Sequence, residues 1–117
     1  MLNRLAGNPT NLNMTTLATD PEGYLINLDD WSTEAANTLA HSAGIELTEA
    51  HWEVLFLLRE FYTEYGISPA TRPFVKAVAL KLGKEKGNSM YLMTLFSESP
   101  AKLAAKLAGL PKPTNCL

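Results

Sequence analysis

The chain has one cysteine and two histidines among its 117 residues. It also lacks any long apolar run, the longest being Val54 to Leu58 and Ala77 to Leu80. A single thiol excludes an internal disulfide and a CxxC redox pair, and Cys116 with His41 and His51 is too small a ligand set for a structural zinc site. Runs of four or five apolar residues fall far short of the roughly 20 needed to cross a bilayer. Met1 to Gly7 contains Arg4 but no apolar stretch or small-residue cleavage pattern, so no export signal is expected and the expected compartment is cytoplasmic. What remains is 46% apolar residues in a chain of this length, enough for one hydrophobic core and too little for two.

The net charge of −2 hides an uneven distribution. Residues 1–71 hold two arginines against ten acids, a balance of −8, whereas residues 72–117 hold eight cations against Glu85 and Glu98, a balance of +6. Such a split fits ordinary solvated surface, and it equally fits a cationic end that attracts an anionic partner.

Turn residues and caps divide the chain. Residues 1–14, rich in Asn and Thr and broken by Gly7 and Pro9, read as a loose tail. Between Thr15 and Leu28, two short Thr/Leu and Tyr-Leu-Ile stretches flank Asp20-Pro21-Glu22-Gly23, which predicts a small β-hairpin. Five helices follow. Ser32 caps one that runs to about Ala43, and Thr48 caps a longer one over 49–65 that Gly66 stops. Trp52, Leu55, Phe56, Leu58, Phe61, Tyr62 and Tyr65 cover a wide arc of that second helix, which marks it as the central one. Ser68-Pro69 opens a third that ends before Gly83, with Pro73 able to push its start later. Asn88 caps a fourth, and Ser99-Pro100 starts a last one that stops at Gly109. The expected fold is therefore mainly α: a compact five-helix bundle over residues 15–109, with a small N-terminal hairpin.

Residues 110–117 cannot continue a helix, because Pro111 and Pro113 lack amide donors and fix φ. They read as an extended, mobile C-terminal arm that lets Cys116 travel on the order of 20 Å from the last helix. A free cysteine is usually a small buried hydrophobe, but a penultimate position behind two prolines points to an exposed, tethered thiol. Its thiolate could attack a sulfane sulfur and hold it as a persulfide. An unperturbed thiol, with an ordinary pKa near 8.5, is roughly 10% ionised around pH 7.5. Hydrolytic Cys–His chemistry would need an imidazole beside Cys116 and an oxyanion hole, neither of which the sequence implies. His41 and His51 read as helix-surface or packing residues.

The ending Gly109-Leu110-Pro111-Lys112-Pro113-Thr114-Asn115-Cys116-Leu117 resembles the GLPKPxxC terminus of the TusE/DsrC sulfur-carrier family. Further matches in the same order are Glu22-Gly23-Tyr24-Leu25, the helix start 47–52, Arg59-Glu60-Phe61-Tyr62, Ser68-Pro69-Ala70-Thr71-Arg72 and the segment 83–89. The resemblance covers about residues 15–117 and implies a DsrC-like fold with Cys116 as the sulfur acceptor. In the TusE branch it implies a TusBCD-type donor complex and an MnmA-type tRNA thiouridylase that modifies wobble uridine. In the DsrC branch it implies sulfite reductase and a second cysteine eleven positions before the penultimate one. This chain has Ala105 there, which removes intramolecular trisulfide chemistry and favours the single-cysteine role. A second departure is Ser97-Glu98-Ser99-Pro100 after Leu95-Phe96, where the family often has a proline and a glycine.

The resemblance implies no cofactor or metal, and a sulfurtransferase only in the relay sense, without stand-alone multiple turnover. Arg72 could stabilise the thiolate or persulfide through charge-assisted hydrogen bonds, or serve as a surface or capping arginine. Lys112 could assist docking or keep the arm soluble. Two alternatives remain: a DsrC-like partner or adaptor in dissimilatory sulfur metabolism, which does not require Cys116 to carry sulfur, and a helix-turn-helix DNA-binding regulator with Arg72 and Lys76 near the start of its recognition helix. The acids Glu53, Glu60 and Glu64 on the preceding helix oppose direct nucleic-acid binding, and DNA binding gives Cys116 no role.

Overall fold

A computed structural model describes residues 17–114. Five helices form the body: α1 (Thr33–Ser42), α2 (Glu49–Tyr65), α3 (Thr71–Leu82), α4 (Ser89–Phe96) and α5 (Pro100–Leu107). The caps set most of the boundaries. Ser32 Oγ accepts from the Ala35 amide at 3.0 Å, and Asn88 Oδ1 accepts from the Tyr91 amide at 2.8 Å. Gly66, at φ 73°, ends α2 in the left-handed conformation. Helix α3 begins at Thr71 rather than at Pro69. Pro73 is its third residue, where an amide would have no intrahelical acceptor, so the proline is accommodated inside the first turn.

The predicted N-terminal hairpin is not formed as such. Among the described residues there is no strand, only an isolated antiparallel bridge between Thr19 and Leu25. The reason is local. Asp20 Oδ1 accepts from the amides of both Glu22 and Tyr24 at 2.9 Å, closing a tight turn, and Asn27 Oδ1 then accepts from the Asp29 amide to start a 3-10 turn over Leu28–Asp30. Between these two side-chain-made turns the ladder has no length in which to grow. The predicted tail over residues 1–14 lies outside the described residues.

Helix α2 buries Val54, Leu55, Leu57 and Leu58, α3 buries Phe74 and Val78, and α4 buries Leu92 and Phe96. Burying each Leu or Phe contributes about 1.5–3 kcal/mol, which is what holds such short helices in place. The helix at the centre, however, is α5, which packs against all four others. Its buried residues are Ala101, Ala104, Ala105 and Leu107, after Pro100. Small side chains let four neighbouring helices approach one short segment, which a wide aromatic helix such as α2 cannot allow.

His51 is a packing residue, as expected. Its Nδ1 accepts from the Thr48 amide at 3.1 Å, so the remaining proton sits on Nε2 and is donated to Leu95 O at 2.9 Å, tying α2 to α4. The ring meets Phe96 edge-on, with centroids 5.2 Å apart. His41 is exposed in the last turn of α1. Among the described residues no helix is long and apolar enough to cross a membrane, and no group of three His, Cys, Asp or Glu could hold a metal ion.

Candidate functional site: the root of the C-terminal arm

Helix α5 ends in a glycine turn. Gly109 adopts φ 73°, and its amide and that of Leu110 donate to Lys106 O and Ala105 O at 3.1 and 2.9 Å. Leu110 is buried directly after the turn. A side chain at position 109 is barred twice over, because a Cβ would lie 2.3 Å from Cδ1 of Trp31 as well as require a left-handed backbone.

Two side chains from elsewhere in the sequence take hold of this helix end. Trp31, between the 3-10 turn and the Ser32 cap, donates its indole N–H to Leu107 O at 2.9 Å. Arg59, from α2, donates from Nη1 to Ala108 O at 2.6 Å. The guanidinium carbon lies 4.0 Å from the centroid of the Trp31 ring, so the two donors also stack on each other. Phe56, one turn before Arg59, meets the Trp31 ring edge-on at 6.1 Å and itself stacks with Trp52. Partial burial of the Arg59 guanidinium lowers its pKa from the ordinary arginine value.

The next residues are fastened to the body as well. Ser68, itself buried, donates its hydroxyl to Pro111 O at 2.5 Å. Lys112 Nζ pairs with Glu22 at 3.0 Å, and Pro113 is buried. The chain expected to leave the domain at residue 110 is thus held against it through 113. Lys112 also lines an open cleft of about 760 Å³ with Glu22, Tyr24, Lys102 and Lys106.

Of the three residues singled out from sequence, Lys112 sits at this root, and Arg72 stands exposed in the first turn of α3, four residues beyond the Ser68 that holds the arm. Arg72 makes no hydrogen bond or ion pair with another described residue. Cys116 lies outside the described residues. The structure adds Trp31, Arg59 and Ser68. Only Arg59 and Ser68 fell within motifs noticed in the sequence, and no local pattern connects any of the three to residues 107–111.

The family described as DsrC like protein matches residues 11–117. The sulfurtransferase TusE homolog of Haemophilus influenzae is 55% identical over 107 residues, which cover 92% of this chain and 98% of that protein. Among solved structures, DsrC of Allochromatium vinosum is 55% identical, with a TM-score of 0.79 over 86% of this chain and 90% of that one. The oxidised gamma subunit (DsrC) of the dissimilatory sulfite reductase of Archaeoglobus fulgidus is 38% identical, with a TM-score of 0.75 over 86% and 92%.

Proposed function

The chain belongs to the DsrC-like family and is a homologue of the TusE sulfurtransferases, and from that premise we propose that it relays sulfur as a persulfide on Cys116. The thiolate of Cys116 attacks the terminal sulfur of a donor persulfide, R–S–SH. A new S–S bond forms to Cys116, the donor's S–S bond breaks, and R–S⁻ leaves with the electron pair. Electron count and charge balance without an external oxidant. The same step in reverse sense, with an acceptor nucleophile attacking Cys116–S–SH, passes the sulfur on and regenerates the thiolate.

The observation that carries the reading is the arm. Its sequence ends in the family's penultimate cysteine, in a chain 55% identical to a TusE homologue over nearly its whole length, and its root is secured by four separate segments of the fold. We propose a TusBCD-type complex as the donor and an MnmA-type tRNA thiouridylase as the acceptor. The single cysteine is what favours them over sulfite reductase, because Ala105 leaves Cys116 no partner within the chain for a trisulfide. Arg72 and Lys112 are proposed to stabilise or guide the loaded arm. What supports a role for Arg72 is that Pro111 is held by the segment that leads into α3 and that Cys116 follows it by five residues, about 16 Å if extended.

The helix-turn-helix reading is less well supported. The groove between α2 and α3 places Glu60 and Glu64 beside Lys76 and Lys81, an acidic contribution on the surface where DNA would need uninterrupted cations. The test is loading of the protein by a charged donor, followed by alkylation with a persulfide-reactive tag. Wild type takes the tag in a reductant-sensitive form, and Cys116→Ser and a variant lacking residues 110–117 do not. Tagging of Cys116→Ser at the wild-type level would end the proposal, and a salt-sensitive DNA shift retained by the truncated protein would replace it with the regulator reading.

A further inference from the structure

The clamp on the end of α5 does more than cap a helix. Orphan carbonyls at a helix C-terminus are usually satisfied by water or by the glycine turn itself. Here the turn already uses Ala105 O and Lys106 O, and the next two carbonyls, of Leu107 and Ala108, are each taken by a long side chain from a different element. Those two side chains brace each other face to face, and the Trp31 ring closes the space above Gly109. The two peptide units before the arm's pivot are therefore fixed in orientation as well as in position. Leverage makes this matter. The chain beyond Gly109 is fastened again at Pro111 and Lys112, and the clamp sets the direction in which it meets those contacts; from Pro113 to Cys116 is three residues, about 10 Å of extended chain, so a change of about 20° in direction there moves the end by about 3 Å, more than a sulfur-to-sulfur attack tolerates.

We infer that Trp31 and Arg59 are positioning residues for sulfur transfer, holding the exit direction of the arm so that Cys116 samples the small region from which a partner can be reached. The inference rests on the carrier reading for its function, though not for its geometry. Neither residue touches the reacting sulfur. Their contribution is to raise the effective concentration of the thiol at the partner's site. Loosening the clamp therefore slows transfer between proteins and leaves the thiol's own reactivity alone.

The test has two arms. Because Cys116 is the chain's one cysteine, a nitroxide label can be placed there alone, and its broadening of backbone amide signals maps where the arm's end travels. In wild type the broadening is confined to one face. In Trp31→Phe, which keeps the ring but loses the donor, and in Arg59→Met, which keeps length but loses both charge and donor, it spreads over the surface. Arg59→Lys, able to donate to Ala108 O but not to stack as a plane, recovers part of the wild-type pattern. In unlabelled protein the second-order rate of sulfur transfer falls about five- to tenfold in Trp31→Phe and Arg59→Met. Reaction with a small aromatic disulfide stays within about twofold of wild type, because it needs no docking. Val54→Ala, a core cavity in α2 away from the clamp, controls for lost stability and transfers at the wild-type rate. Unchanged label maps together with unchanged transfer rates overturn the inference. Equal slowing in Val54→Ala reduces the clamp to a merely stabilising contact. A wild-type protein that reacts with the small disulfide but takes no sulfur from a loaded donor removes the carrier reading, and the label maps still decide whether the clamp aims the arm.

Discussion

At the scale of single residues, the backbone special cases can be separated by what surrounds them. Gly66 and Gly109 both sit at φ 73° and both end a helix, yet a Cβ at 66 would meet nothing within 4 Å, whereas at 109 it would run into the Trp31 ring. Gly66→Ala should therefore cost only the left-handed backbone penalty, about 1–2 kcal/mol. Gly109→Ala adds an overpacking cost of about 1–3 kcal/mol and should displace Trp31, visible as a shift in its fluorescence alongside urea unfolding. Equal losses at the two sites would show that Trp31 gives way freely. Ser97 is the reverse case, a non-glycine at φ 65°. Ser97→Gly should raise stability by about 1 kcal/mol in the same assay, and a loss would mean that the serine's surroundings hold it without strain. The Lys112–Glu22 pair links residues 90 apart in sequence, but both side chains are well exposed, at 43% and 58%. Lys112→Ala should change stability by less than about 1 kcal/mol.

At the scale of elements, helix boundaries were legible wherever a side chain or a glycine makes the cap. Thr48 and Gly66 bracket α2, Ser32 starts α1 and Asn88 starts α4. The start of α3 was harder to read because Ala70 occupies the cap position and no side chain announces it. The centre of the bundle was not legible at all. Aromatic residues make α2 look central, but centrality depends on how closely neighbours can approach, and the alanines of α5 decide that. The consequence is testable. Ala104→Leu, fully buried where several helices meet, should destabilise by at least the 1–3 kcal/mol typical of overpacking, and more than Asn37→Leu at an exposed position of α1. Comparable urea midpoints for the two variants would contradict a hub role for α5. The arm root escaped sequence reading for a related reason. Trp31 and Arg59 act on carbonyls 76 and 49 residues away, and a backbone acceptor leaves no signature in side-chain pattern.

At the scale of the whole molecule, the helical body holds the root of the C-terminal arm through residue 113. The other four helices converge on α5, its C-terminal end is fastened at Leu107 and Ala108, and the chain beyond Gly109 is fastened again at Pro111 and Lys112 before the cysteine is reached. The charge asymmetry seen in the sequence has a place in this arrangement, since Lys102 and Lys106 line the same cleft as Lys112. The motif around Cys116 was read from sequence alone and lies outside the described residues, whereas the contacts that hold the arm's root left no signature in the sequence. Intact-protein mass spectrometry after incubation with a cysteine desulfurase, cysteine and a loaded TusBCD-type donor tests the central claim most directly. The account predicts a gain of about 32 Da, one sulfur atom, that is removed by reductant and absent from Cys116→Ser. A wild-type mass that stays unchanged beside a demonstrably loaded donor, or a gain that survives in Cys116→Ser, would contradict it.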